Sequence, residues 1–163
     1  MADLTTSFKN MIMSIEDRPF STVHPRGPSK WGVTYNTIGT TDFMPTTADQ
    51  AREILRVKVW EKHGLVHIRN QRLADLIFYL FCANDEDDVR EIIRLASMRL
   101  YGPVEYPVYR NSEVADVCNE VFSTMLFLRA LCGEACIHYS IQAAKFSSMD
   151  IATDIAGVMA YRP

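Results

Sequence analysis

The chain has 163 residues and a mass of 18.6 kDa, which fits one domain able to bury about two-thirds of its unfolded surface. Its net charge of −3 and pI near 5.8 argue against a nucleic-acid binder, whose domain is normally basic. Apolar residues make up 48% and charged residues 23%, an ordinary globular composition, and no run approaches the ~20 apolar residues of a membrane span.

The N-terminal stretch from Met1 to Asn10 has no basic segment followed by an apolar core. It therefore does not read as a secretory signal, and the expectation is synthesis in the cytoplasm. Phe8, Met11, Ile12 and Ile15 recur at helical spacing and predict a first helix with Glu16 in its last turn. Residues 17–45 hold four of the seven prolines and three of the seven glycines, so they read as a long irregular segment with short β-like pieces around residues 31–38. Irregular segments of that length in compact domains are usually functional.

Thr46-Thr47-Ala48-Asp49 reads as a helix start, with Thr46 as the cap and Asp49 at the positive helix end. That helix is expected to run to about Lys62 and stop at Gly64. A third follows with Leu73, Leu76, Ile77, Leu80 and Phe81 on one face, ending near Asn84. The acidic run Asp85-Glu86-Asp87-Asp88 caps and solvates a fourth helix carrying Val89, Ile92, Ile93 and Ala96. It lacks the glycine and remaining ligands of a metal loop.

Tyr101-Gly102-Pro103 breaks the chain. A long helix is expected from about Ser112, burying Val114, Val117, Cys118, Val121, Phe122, Met125 and Leu126. Helical stretches over about 134–146 and 148–160 follow. The prediction is a single, mostly α domain with a small β-containing loop.

Several residues that carry chemistry elsewhere read as structural here. Cys82, Cys118, Cys132 and Cys136 lie in apolar helical surroundings, where buried thiols are the expectation. The spacing of Cys132, Cys136 and His138 is weakly metal-like but lacks a fourth ligand. His63 and His67 flank Gly64 and read as surface or capping groups. No metal or cofactor is expected.

Glu16 stands apart. Hydrolysis of a glycosidic bond needs a proton for the leaving oxygen, usually from a carboxylic acid kept neutral by apolar surroundings. Glu16 follows Ile15, with Phe20 and Trp31 available to cover it; the pattern alone also reads as a solvated helix-end residue at the negative end of the helix dipole.

The stretch from Glu16 through Pro19, His24-Pro25-Arg26-Gly27, Ser29 and Trp31-Gly32-Val33-Thr34 resembles the N-terminal signature of glycoside hydrolase family 108, the phage endolysins and secretion-associated muramidases. That signature runs Glu-Gly-Gly-Tyr, then Asp-Pro-Gly-Gly-x-Thr, then Tyr-Gly-Ile-Thr. Aligning Trp31-Gly32-Val33-Thr34 on the last element puts Ser29 on the threonine, Gly27 on the second glycine, Pro25 on the proline and His24 on the aspartate. Ala51 to Trp60 and Leu73 to Asn84 are similar to two further helices of that family, so the resemblance covers about residues 8–100.

The resemblance implies a lysozyme-like helical domain, with residues 1–100 as a catalytic core and 101–163 as a helical C-terminal part packed on it. It implies a peptidoglycan hydrolase cleaving the β-1,4 bond between N-acetylmuramic acid and N-acetylglucosamine. Glu16 would be the general acid, His24 and Ser29 would position water, and Trp31, Thr34, Trp60 and Asn84 would hold substrate. Trp60 also reads as core or cleft floor, and Asn84 as a helix-end residue. The expected partner is cell-wall peptidoglycan, reached through a pore, a virion or a secretion system. Asp17-Arg18 in place of the paired glycines, His24 in place of the aspartate and Tyr79 in place of a second aspartate support an alternative. In it the protein has kept the shape and binds glycan or a protein partner without hydrolysis.

Overall fold

The computed structural model describes residues 1–15, 29–38, 45–102, 111–146, 155, 158, 159 and 161, and the fold is mostly helical. Helix α1 (Leu4–Ile15) starts at Asp3, whose carboxyl accepts from the Thr6 amide at 2.8 Å and hydroxyl at 2.7 Å. Those bonds, the hydroxyl first, hold the Asp3 carboxyl below its ordinary range. Phe8 and Met11 are buried and Ile12 packs against the core, as the apolar period predicts. Helix α1 ends at Ile15, and Glu16 and His24 lie outside the described residues.

Strands β1 (Ser29–Lys30) and β2 (Val33–Thr34) form an antiparallel hairpin with Ser29 opposite Thr34 and Lys30 opposite Val33. Its two-residue turn has positive φ at Trp31 (49°) and Gly32 (77°). Such primed turns match the twist of the strands, although a tryptophan there costs about 1 kcal/mol. The β-like run expected over residues 31–38 is shorter than predicted. The Thr34 hydroxyl accepts from the Thr37 amide at 3.2 Å, capping the short helix α2 (Tyr35–Ile38).

Helix α3 (Ala48–Leu55) is capped by Thr47 rather than Thr46: the Thr47 hydroxyl accepts from the Gln50 amide at 3.2 Å. The Thr46 amide and hydroxyl are instead taken by the Gln50 side chain, each at 2.8 Å. The helix widens into a π turn over Arg56–Glu61 and stops at Gly64, where φ is 65°. A 3₁₀ turn (Leu65–His67) leads on to α4 (Gln71–Ala83), capped by Asn70.

Every residue of α4 from Leu73 to Cys82 is buried, so it is the central helix and not the one-faced element its leucine spacing suggests. It packs against α1, the π turn, α5 (Glu86–Tyr101) and α7 (Thr124–Phe146). Helices α5 and α7 share the most extensive packing, reinforced by Arg99 on the buried Glu134 at 2.6 Å.

The single long helix expected from Ser112 is instead two, α6 (Asn111–Glu120) and α7, broken at residues 121–123. Ser123 restarts the helix, its carbonyl accepting from Phe127 and its hydroxyl from Leu126. The break turns Phe122, Met125 and Leu126 outward, 87%, 55% and 43% exposed, against the expectation that they are core. Near the C-terminus Val158 and Tyr161 are buried. The Cys132 thiol points at the Val158 carbonyl, and Tyr161 lies against Tyr79 with ring centroids 5.7 Å apart.

Among the described residues no helix is long and apolar enough to cross a membrane.

Candidate functional site

Three elements enclose a cleft of about 370 Å³. One wall is the end of the hairpin with α2, supplying Thr34, Thr37 and Ile38. The second is the π turn and its exit, supplying Lys58, Val59, Lys62 and His63. The third is the end of α4 and the start of α5, with Phe81, Cys82, Asn84, Asp85 and Glu86.

The hairpin is seated by Gly32. A Cβ there would lie 2.8 Å from the Met11 methyl carbon and 3.7 Å from the Cys82 Cβ, so glycine lets the turn rest on α1 and α4 together. The π turn matters as well. An extra residue in one helical turn shifts the side chains that follow, and such turns are frequent at functional sites.

The charged heart of the cleft is a four-residue cluster. Glu86 sits between Lys62 at 2.8 Å and Arg90 at 2.7 Å, with the His63 Nε2 at 4.0 Å. Partial burial would raise the Glu86 carboxyl, but hydrogen bonds from Lys62 and Arg90 and the field of His63 and Lys62 outweigh it and hold the group down to about 2. Glu86 is therefore an ionised carboxylate and not a proton donor near neutrality.

His63 is 3% exposed and stacked flat on Phe81, with centroids 3.8 Å apart and planes 7° from parallel. This corrects the reading of His63 as a surface group. Its Nδ1 has no hydrogen-bond partner. Burial, countered by Glu86 and reinforced by Lys62 and Arg90, lowers its pKa to about 4.

A stability prediction follows from this pair. Unfolded His63 takes a proton near 6.5 while the folded ring resists until about 4, so its contribution falls as pH drops from 6.5 to 4 and then levels off. Glu86 contributes stability above 4.5 that is lost toward 2. Unfolding free energy from urea melts is expected to fall by on the order of 2 kcal/mol between pH 6.5 and 4, with the acid limb of Glu86 joining below 4.5. In His63→Phe the portion between 6.5 and 4 should vanish; its persistence would place the titration elsewhere.

A second polar cluster, which the sequence reading does not anticipate, joins α1 to α4. Asp75 is 3% exposed and accepts from Ser7 at 2.5 Å, Asn10 at 2.7 Å and Gln71 at 2.6 Å. Gln71 also accepts from the Asp3 amide at 2.6 Å and donates to the Asp3 carbonyl at 3.0 Å. The available signal was a lone acid amid Leu73-Ala74-Asp75-Leu76-Ile77. An acid inside an apolar run is rarely buried unless it is paired.

No family model, curated protein or solved structure matches this chain.

Of the residues that the sequence nominates, Thr34 and Asn84 line the same cleft. Ser29 pairs with Thr34 across the hairpin, and Trp31 occupies its turn with the Lys30 ammonium 4.5 Å from the ring centroid. The Asn84 amide donates to the Leu80 carbonyl at 2.9 Å and the Tyr139 hydroxyl at 2.6 Å, so it shapes the wall.

Trp60 follows the core reading and not the substrate-holding one. It is 4% exposed and packs edge-on against Phe78 at 5.7 Å, so it is core beneath the cleft and offers no face for a sugar. The apolar neighbours on α4 bury the whole indole.

None of the four cysteines forms a disulfide, and burial pushes the thiols of Cys82 and Cys118 far up. Among the described residues no three His, Cys, Asp or Glu side chains are grouped to hold a metal.

Proposed function

We propose that the chain is a lysozyme-like peptidoglycan hydrolase of the muramidase type, with Glu16 as the general acid. The observation that carries this reading is the seating of the Trp31–Gly32 turn on Met11 of α1 and Cys82 of α4. The residue after α1 is the candidate acid, so the helix leading to it, the hairpin and the cleft belong to one packed unit. Glycosidic cleavage needs an acid presented to a groove that holds the sugar, and Glu16 is the residue that follows α1 in this unit.

In the proposed reaction Glu16 protonates the leaving glycosidic oxygen as the bond to the anomeric carbon breaks. Water held by His24 and Ser29 supplies the hydroxyl to that carbon, and its proton passes to the neutral imidazole. On this reading the protein acts at the cell wall, delivered through a pore, a virion or a secretion system.

The second reading, a binding protein that keeps the shape without turnover, draws support from a different observation. The carboxylate at the centre of the described cleft, Glu86, is held ionised by Lys62 and Arg90, a state suited to holding a ligand and not to donating a proton.

Incubating the purified protein with cell-wall sacculi and measuring new reducing ends tests the choice. Release at a rate proportional to protein concentration supports the hydrolase. Sacculi that retain the protein on sedimentation but yield no reducing ends support the binder.

A further inference from the structure

Among the described residues, two charged side chains lining the cleft, Lys58 and Asp85, have no ion-pair partner. Lys58, on the π turn, is exposed. Asp85, which lines the same cleft, stands at the cap position of α5. Aspartate there normally accepts from the first helical amides, yet the Asp85 side chain makes no capping bond, and the residue lines the cleft.

Of the other charges near the cleft, Lys62, Glu86 and Arg90 satisfy one another, and the buried Nδ1 of His63, which also lines it, lacks a partner. A buried polar atom without a partner marks a wall that the fold does not complete by itself. The base is apolar, formed by Val59 and Phe81, both buried.

These features select among ligands. A simple anion meets Lys58 but is repelled by Asp85 and Glu86. A neutral sugar leaves both outer charges unmatched. A bare cation meets Lys58 and Lys62. What suits the cleft is a short molecule with a carboxylate and an ammonium held apart on an apolar stem, and about 370 Å³ is within the size range of small-ligand sites.

We propose that this cleft binds a short zwitterionic peptide of the cell-wall stem type, its carboxylate on Lys58 and the side-chain ammonium of its diamino acid on Asp85. The choice of a wall peptide rests on the hydrolase reading; the charge pattern does not.

The full chain is titrated by calorimetry with three probes: a free stem tetrapeptide containing diaminopimelate, the same peptide with its ammonium acetylated, and the peptide-free disaccharide. The free stem peptide should bind, and acetylation should weaken it about three- to fivefold, the upper range for an exposed ion pair. Lys58→Ala and Asp85→Ala, both at exposed positions, should each weaken it by a similar factor. High salt should weaken it further.

Failure of the stem peptide to bind, equal affinity for the acetylated form, or two variants with wild-type affinity would each overturn the proposal. The two readings fail separately. Stem binding by a protein whose wall lysis is unchanged in Glu16→Gln removes the hydrolase and leaves the cleft. Glu16-dependent lysis by a protein that ignores the stem peptide removes the cleft proposal and leaves the hydrolase.

Discussion

Glu16→Gln is expected to lower the release of reducing ends from sacculi by at least about 100-fold, the usual scale for losing a general acid. Glutamine keeps the size and shape of the side chain and removes only the transferable proton, so the loss is chemical. The helix that precedes it holds through Phe8 and Met11, both buried, and neither is touched. Thermal unfolding of the variant should therefore match wild type while its rate falls. A variant that clears sacculi as fast as wild type would show that Glu16 is not the acid.

Asp75→Ala is expected to produce the largest loss of stability, about 3 kcal/mol. The carboxyl receives three donors, from Ser7, Asn10 and Gln71, and removing it leaves the Ser7 hydroxyl without its acceptor in a fully buried position. Each buried polar group left unsatisfied costs about 1–3 kcal/mol. For a chain of this size that corresponds to roughly 6–12 °C in melting temperature. Asp75→Asn keeps an acceptor oxygen and should lose less. Urea and thermal melts check this, and a change below about 0.5 kcal/mol in Asp75→Ala would show that α1 is held by its apolar face alone. Because α1 leads to Glu16, the alanine variant should also slow wall hydrolysis at temperatures where it remains folded.

The apolar spacing made the helices legible. Phe8 and Met11, Val89 through Ala96, and the glycine stops at Gly64 and Gly102 all lie where the sequence predicts helices and their ends. Helical period and left-handed glycine positions are local properties, so they survive without knowledge of neighbours.

The failures are equally local in origin. Thr46 and Thr47 are both able to cap, and only the Gln50 side chain, which takes Thr46, decides between them. Phe122, Met125 and Leu126 continue an apolar period, but the restart at Ser123 rotates them away from the core. Trp60 reads from sequence either as core or as a substrate-holding face, and its burial and edge-on contact with Phe78 decide for the core.

The chain by itself determined a mostly helical protein with one irregular segment and a Glu-to-Thr34 pattern worth testing. Tertiary structure decided which groups share a cleft. The Asp85–Glu86 run and the lysines of the π turn lie more than twenty residues apart, and they meet only because α4 turns the chain back on itself. The buried state of His63 and the bonds from Ser7 and Asn10 to Asp75 likewise arise from long-range packing; the apolar run around Asp75 signals that the acid is paired but not by which residues of α1.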